Sequence, residues 1–146
     1  MGKKKKVTTI TPRLSPWAEE AQKEIPLAEY PRPQLARREW TCLNGRWKYA
    51  VKHNHKAPEK WDGEIVVPYS PESVLSGAKK TPGPLDTLWY ERTFDLPEKP
   101  AHKRLLLHFG AVDQRCCVWV NHQRAGSHEG GYIPFHFDIT DLVESW

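Results

Sequence analysis

The stretch that decides the fold is LLLHFGAVDQRCCVWVNHQRAGSHEGGYIPFHFDIT, residues 105–140. Leucine and phenylalanine occupy alternate positions across residues 105–109, as in a strand with one buried face. The same alternation recurs in residues 114–121, where Cys116, Val118 and Val120 share a face. Asn121-His122 predicts a turn back into a paired strand, and Gly130-Gly131 interrupts that strand. The stretch therefore predicts short antiparallel strands.

The preceding residues predict more strands and no long helix. A tight turn is expected at Asn44-Gly45 and a Ser/Pro/Gly-rich loop at residues 70–87. Strands are expected at residues 47–51, at residues 65–67 before Pro68, at Leu88–Leu96 and at residues 132–139. Short strands without alternating long helices are typical of an antiparallel β-sandwich or barrel, so we predict an all-β fold.

Composition limits the classes of protein to which the chain can belong. Its 146 residues suit about one domain, and its longest apolar runs are far shorter than a membrane span. The net charge of +4 is nearly balanced, so the Lys3–Lys6 run is read as a solvated tail and no nucleic-acid or membrane partner is predicted. Three cysteines form no disulfide framework, and no apolar segment follows the basic start. These features predict a cytoplasmic protein.

The N-terminal residues 1–35 predict an extended arm, followed by a β-sandwich domain over residues 36–146. A helical turn is expected after Ser15, with Pro16 at its first position. Pro26, Pro31 and Pro33 favour an extended path. The arm is ordered only where apolar side chains find a surface, and the candidates are Trp17, Ile25, Leu27 and Tyr30.

Several motifs, in order, carry a resemblance to a known family. They are Tyr30–Pro33, Leu43–Trp47, Val67–Tyr69, Glu72-Ser73, Leu75–Gly77, Trp89–Phe94, Leu105–Asp113, Val118–Asn121, Gly126–Tyr132 and Pro134–Thr140. The set resembles the N-terminal sugar-binding domain of glycoside hydrolase family 2, which includes β-galactosidases, β-glucuronidases and β-mannosidases. The resemblance implies a jelly-roll, galactose-binding-like β-sandwich that precedes an immunoglobulin-like domain and a catalytic barrel. A departure occurs at Asn121-His122, where the family usually has Asn-Gly.

The resemblance also implies what the chain does. Retaining glycosidases use two carboxyl groups, which in this family are glutamates of the barrel. A barrel takes about 250 residues, so the chain is expected to be a non-catalytic part, inactive alone, with its sandwich truncated at the C-terminal end. We therefore expect poor stability as an isolated monomer, or a homo-oligomer. The expected partners are carbohydrate and the remaining domains of the same enzyme, and no cofactor or metal is predicted.

The loop of residues 70–87 is the predicted rim of the sugar pocket. Its candidate residues are Glu72, Ser73, Asp86 and Trp89. Other interpretations of single features stay open: His53 and His55 as a metal pair, Glu72 and Asp86 as paired carboxylates, Cys116-Cys117 as a redox pair, and Trp17, Trp61 or Trp89 as sugar-stacking rings. The alternative function is a freestanding carbohydrate-binding or protein-interaction β-sandwich.

Overall fold

The computed structural model describes residues 15–19, 23–96 and 103–143. Its contacts divide the chain into two compact units, Met1–Phe94 and Asp95–Trp146. The strands of the described residues are β1 (Gly45–Lys52), β2 (Gly63–Val67), β3 (Thr87–Glu91), β4 (Leu106–Phe109), β5 (Arg115–Val120), β6 (Gln123–Glu129) and β7 (Phe135–Asp138). All their pairings are antiparallel, and the predicted all-β fold is confirmed.

The first unit is built on a three-stranded sheet in the order β2-β1-β3. Trp47 lies opposite Ile65 on one side of β1, and Ala50 lies opposite Trp89 on the other. Tyr49 and Ala50 of the central strand and Ile65 of β2 are buried. The sheet thus holds the small core of this unit.

The start of β1 corrects the turn predicted at Asn44-Gly45. The side chain of Asn44 donates a hydrogen bond to the Pro26 carbonyl oxygen at 3.0 Å. Gly45 begins β1 with φ +111°, and a Cβ there would lie 2.5 Å from the Glu24 carbonyl oxygen. Only glycine admits both that conformation and that approach. Asn44-Gly45 therefore contacts the arm at Pro26 and Glu24, and the prediction of a tight turn is wrong.

The arm is held in part by one expected residue, Tyr30, and in part by Pro26, which was not among the expected anchors. A 3₁₀ helix, Pro16–Ala18, follows Ser15, whose side chain makes no capping hydrogen bond. Trp17 is 70% exposed, whereas Pro26 is fully buried. Tyr30 packs edge-on against Trp40, with ring centroids 4.8 Å apart. Backbone contacts near Pro26 and this aromatic pair, not Trp17, anchor the segment.

Two further expectations near the sheet need correction. Pro33–Leu35 forms a 3₁₀ helix, so the path after Pro31 is not wholly extended. The strand predicted over Leu88–Leu96 ends at Glu91, opposite Lys48. The next residue, Arg92, turns its guanidinium to the carbonyl oxygens of Leu43 and Asn44, at 3.1 and 2.8 Å. The pairing of β3 with β1 stops at Glu91, and Arg92 is held by these side-chain hydrogen bonds instead.

The second unit contains two two-stranded sheets, β4-β7 and β5-β6. Phe109 stacks on Phe135 at 4.9 Å, and the His128 ring stacks on the same phenylalanine at 4.0 Å. Phe137 covers Gly126, leaving no room for a Cβ there. One face of β4-β7 is therefore a layer of phenylalanines that packs onto β6.

The β5-β6 hairpin confirms the turn predicted at Asn121-His122. Asn121 has φ +47° and His122 has φ +64°, the left-handed pair of a type I′ turn. The Asn121 side chain also donates to the Leu142 carbonyl oxygen at 3.0 Å. The hairpin exposes Cys117 and Trp119 and turns Cys116 and Val118 inward, as the alternation predicts.

A group of hydrogen bonds around Asp138 lies at the C-terminal end of β7. Its Oδ1 accepts hydrogen bonds from the Thr140 hydroxyl at 2.6 Å and the Thr140 amide at 3.0 Å. Its Oδ2 pairs with Arg104, and the Thr140 hydroxyl oxygen accepts from the Leu105 amide at 2.8 Å. The two Thr140 donors, followed by Arg104, lower the pKa of Asp138 from 3.8 to about 2.

Candidate functional site

The loop between β2 and β3 joins the end of β1 because the sheet is antiparallel. Lys52, the last residue of β1, lies opposite Thr87, the first residue of β3. Residues that follow β1 therefore meet residues that precede β3. This geometry brings His53 and His55 beside the C-terminal end of the loop.

A buried serine organises the middle of the loop. Ser76 has no solvent exposure. Its hydroxyl donates to the Ser73 carbonyl oxygen at 2.8 Å and accepts from the Ala78 amide at 3.1 Å. The Pro71 carbonyl oxygen lies 3.3 Å from the same hydroxyl. Ser76 thus ties both sides of the loop together, a role that its sequence context did not indicate.

Ser73, a predicted rim residue, begins the 3₁₀ helix Val74–Ser76. Its hydroxyl accepts a hydrogen bond from the Leu75 amide at 3.2 Å, which satisfies a free donor of the first turn. Gly77 ends the helix with φ +78°. The structure gives Ser73 a capping role, which shapes the loop backbone.

Asp86, another predicted rim residue, carries a largely covered carboxylate at the end of the loop. Its side chain is only 9% exposed and contacts the Nδ1 atom of His53. Its Oδ2 accepts from the Gly83 amide at 2.7 Å. These contacts hold the loop to the end of β1, an arrangement that no local sequence signal indicates.

The two histidines considered as a metal pair have separate partners. His53 contacts Asp86, whereas Nδ1 of His55 lies 2.9 Å from the Thr87 hydroxyl. Across residues 15–19, 23–96 and 103–143, no three His, Cys, Asp or Glu side chains gather as a metal-binding group. The strand register explains the contacts of both histidines without a metal.

Glu72 and Trp89 complete the predicted rim. Glu72 is exposed, and Trp89 is half-buried on β3. Burial raises the pKa of Tyr90, and the negative charge of Glu72 raises it further. Glu72 and Asp86 therefore have different neighbours. Of the predicted rim, Glu72 is the solvent-facing acidic group and Asp86 the largely covered one.

The outer face of the β2-β1-β3 sheet carries a polar groove of about 280 Å³. Two cross-strand ion pairs cross it, Arg46–Glu64 at 3.4 Å and Lys48–Glu91 at 2.7 Å. Their side chains are 46–71% exposed, so each pair adds at most about 1 kcal/mol to stability. The groove is a solvated sheet face.

The adjacent cysteines lie in the second unit with free thiols. Burial raises the pKa of the Cys116 thiol, which disfavours the reactive thiolate. Cys117 lies on the opposite, exposed face of β5.

The described part of the chain contains no helix long and apolar enough to cross a membrane.

Comparison with known proteins places these features in a family. The family model "Glycosyl hydrolases family 2, sugar binding domain" matches residues 70–145, which include most of the loop and every strand from β3 to β7. A beta-glucuronidase of Paenibacillus borealis is 32% identical over 122 residues, which are 78% of this chain and 20% of that protein. A beta-galactosidase of Thermoanaerobacter pseudethanolicus is 39% identical over 56 residues, 38% of this chain and 8% of that protein.

A solved structure supports the same relationship. The Lactobacillus rhamnosus beta-glucuronidase matches with a TM-score of 0.59 and 28% identity, covering 70% of this chain and 18% of that one. The chain thus spans about a fifth of the length of the relatives that match it over most of its residues. Since the family model covers more than half of the sequence and the fold agrees, the chain belongs to glycoside hydrolase family 2 through its sugar-binding domain.

Proposed function

We propose that this chain is the N-terminal, non-catalytic part of a glycosidase that hydrolyses β-glucuronides or β-galactosides. The observation that carries the proposal is the match of residues 70–145 to the family's sugar-binding domain, together with the similarity to a much longer beta-glucuronidase. In this proposal residues 1–35 are the arm and residues 36–146 the sandwich. Catalysis belongs to a barrel outside these residues.

The loop before β3 is the part proposed to reach the sugar pocket. Glu72 supports this role because it is exposed and its negative charge raises the pKa of Tyr90 on β3. A carboxylate can accept hydrogen bonds from sugar hydroxyls, and an aromatic ring can pack on the apolar face of a sugar. Glu72 and Trp89 are the proposed contact residues.

Ser73 and Asp86 are proposed to act on the rim indirectly. Ser73 caps the short helix, and Asp86 holds the loop to His53 and Gly83. The Ser73 contact fixes the backbone next to Glu72, and the Asp86 contacts fix the C-terminal end of the same loop. A rim held in one conformation loses less conformational entropy when a ligand binds.

The first test is the length of the reading frame and the activity of its product. We expect the frame to continue past Trp146 into a barrel with two glutamates at strand ends. The longer product should hydrolyse a chromogenic β-glucuronide or β-galactoside, and the 146-residue chain should not. A stop codon directly after Trp146, or turnover by the 146-residue chain, would contradict the proposal.

The second test addresses the rim within the active, longer product. Glu72→Gln removes the charge but keeps the shape, so we expect KM to rise several-fold with a smaller change in kcat. Glu59→Gln is the matched control, because Glu59 is also exposed but lies in the β1-β2 connection. Equal KM values for Glu72→Gln and the unchanged protein would remove Glu72 from the rim and leave the domain assignment intact.

A further inference from the structure

Two histidines that are 28 residues apart in sequence meet on the second unit. His108 of β4 lies directly opposite His136 of β7 in the antiparallel register. Their ring centroids are 5.2 Å apart, with an angle of 37° between the planes. Directly opposed residues have Cβ atoms about 5 Å apart, so both rings reach the same space above the sheet.

The pair lies on the face of the β4-β7 sheet opposite its phenylalanines. Successive side chains of a strand point to opposite faces, so His108 is turned away from Phe109, and His136 from Phe135. Both histidine side chains are exposed, whereas those phenylalanines are partly buried. The histidines are therefore not needed to fill the phenylalanine layer.

We propose that His108 and His136 form a two-histidine chelate for a borderline divalent metal ion, with Zn²⁺ as the ion to be tested. Imidazole nitrogen is a preferred ligand of zinc, copper and nickel. A tetrahedral zinc ion bound at about 2.05 Å by one nitrogen of each ring places the centroids roughly 5.2 Å apart. The observed separation of 5.2 Å therefore allows one ion to bind a nitrogen of each ring.

The neighbouring acidic group does not complete a closed site. Asp138 lies on the same face, but its oxygens are taken by Thr140 and Arg104. Water therefore fills the remaining coordination positions of the ion, so the ion can exchange with ions in solution. Such a site is labile, unlike the four-ligand zinc sites that hold a fold together.

A bound ion would also stabilise the sheet. β4 and β7 form a two-stranded sheet, and the chelate joins one residue of each strand. A ligand that binds only the folded chain raises the folding constant by the factor 1 + [L]/Kd. At free zinc ten times Kd, the factor is about 11. Zinc should therefore raise the unfolding midpoint.

The experiment titrates the metal-free 146-residue chain with Zn²⁺ alone, by calorimetry, and repeats the thermal unfolding with and without zinc. We expect one saturable ion per chain. His108→Asn and His136→Asn should each lower the affinity at least about 10-fold and abolish the zinc-dependent rise in the unfolding midpoint. Should one of these variants fail to fold without metal, His136→Gln at the same exposed position supplies the measurement.

Matched controls separate this pair from other ligands. His122→Asn removes another exposed histidine at a position where asparagine tolerates positive φ. His53→Asn tests the pair suggested by sequence spacing, and Cys117→Ser tests the exposed thiol. All three should bind zinc as the unchanged chain does. Unchanged affinity in both His108→Asn and His136→Asn, loss of affinity in a control instead, or no saturable binding up to about 1 mM zinc would overturn the proposal.

Discussion

Replacing Ser76 with alanine removes the hydroxyl that ties the loop before β3 together. The hydroxyl donates to the Ser73 carbonyl oxygen at 2.8 Å and accepts from the Ala78 amide at 3.1 Å. Each neutral hydrogen bond contributes about 1 kcal/mol net, and a buried group left without a partner costs more. Because Ser76 is fully buried, water does not readily replace the lost partner. We expect Ser76→Ala to destabilise the folded chain by about 2 kcal/mol.

That cost corresponds to about a 30-fold change in the folding equilibrium. Urea unfolding, followed by tryptophan fluorescence, measures the change in the free energy of unfolding. Amide hydrogen exchange at Ala78 measures opening of the loop itself, because its hydrogen-bond acceptor is the hydroxyl that has been removed. We expect faster exchange at Ala78 in the variant than in the unchanged chain.

Ser70→Ala is the matched control, since Ser70 is an exposed serine of the same loop. Its backbone carbonyl still accepts from the Ser73 amide after the substitution, so stability should change by less than about 0.5 kcal/mol. The reasoning is refuted if Ser76→Ala changes the free energy of unfolding no more than Ser70→Ala does and leaves Ala78 exchange unaltered.

Three further predictions concern the second unit. Gly126→Ala should cost about 1–3 kcal/mol in urea unfolding, because the new Cβ would lie 2.7 Å from Cδ1 of Phe137; Gly110→Ala, with open space around its Cβ, should be nearly neutral. The pKa of Asp138 is lowered from 3.8 to about 2, so its stabilising contribution is complete above about pH 5 and is lost as the pH falls through 3.8 to about 2. Unfolding curves in EDTA should show less acid sensitivity over that window for Asp138→Asn. His122→Gly should raise the unfolding midpoint, with a gain of about 1 kcal/mol, since glycine adopts φ +64° without strain; a lower midpoint would contradict the strain argument.

Local features of the fold were predictable because they depend on neighbouring residues. The alternation of Cys116, Val118 and Val120 predicted the inward face of β5, which is where the structure places them. Asn121-His122 predicted the turn, because two residues that tolerate positive φ suit a type I′ hairpin. The ordered motifs predicted the family, and the match over residues 70–145 confirms it.

Features that depend on distant pairing were not predictable. Asn44-Gly45 has the composition of a hairpin turn, but docking of the arm at Pro26 and Glu24 decides its actual role. The strand that begins at Thr87 ends at Glu91. The next residue, Arg92, donates hydrogen bonds from its guanidinium to backbone carbonyl oxygens. Neither outcome follows from local propensity, because each partner lies at least 18 residues away.

The sequence by itself determined the all-β class, the β5-β6 hairpin and the family, since alternation, turn chemistry and motif order are all written along the chain. Only the tertiary structure decided which side chains share a site. It placed Asp86 against His53, gave Ser76 its loop-binding role, and opposed His108 to His136 across β4 and β7. The physical reason is register: antiparallel pairing joins residues by their position across a ladder, and this position depends on the packing of the whole unit.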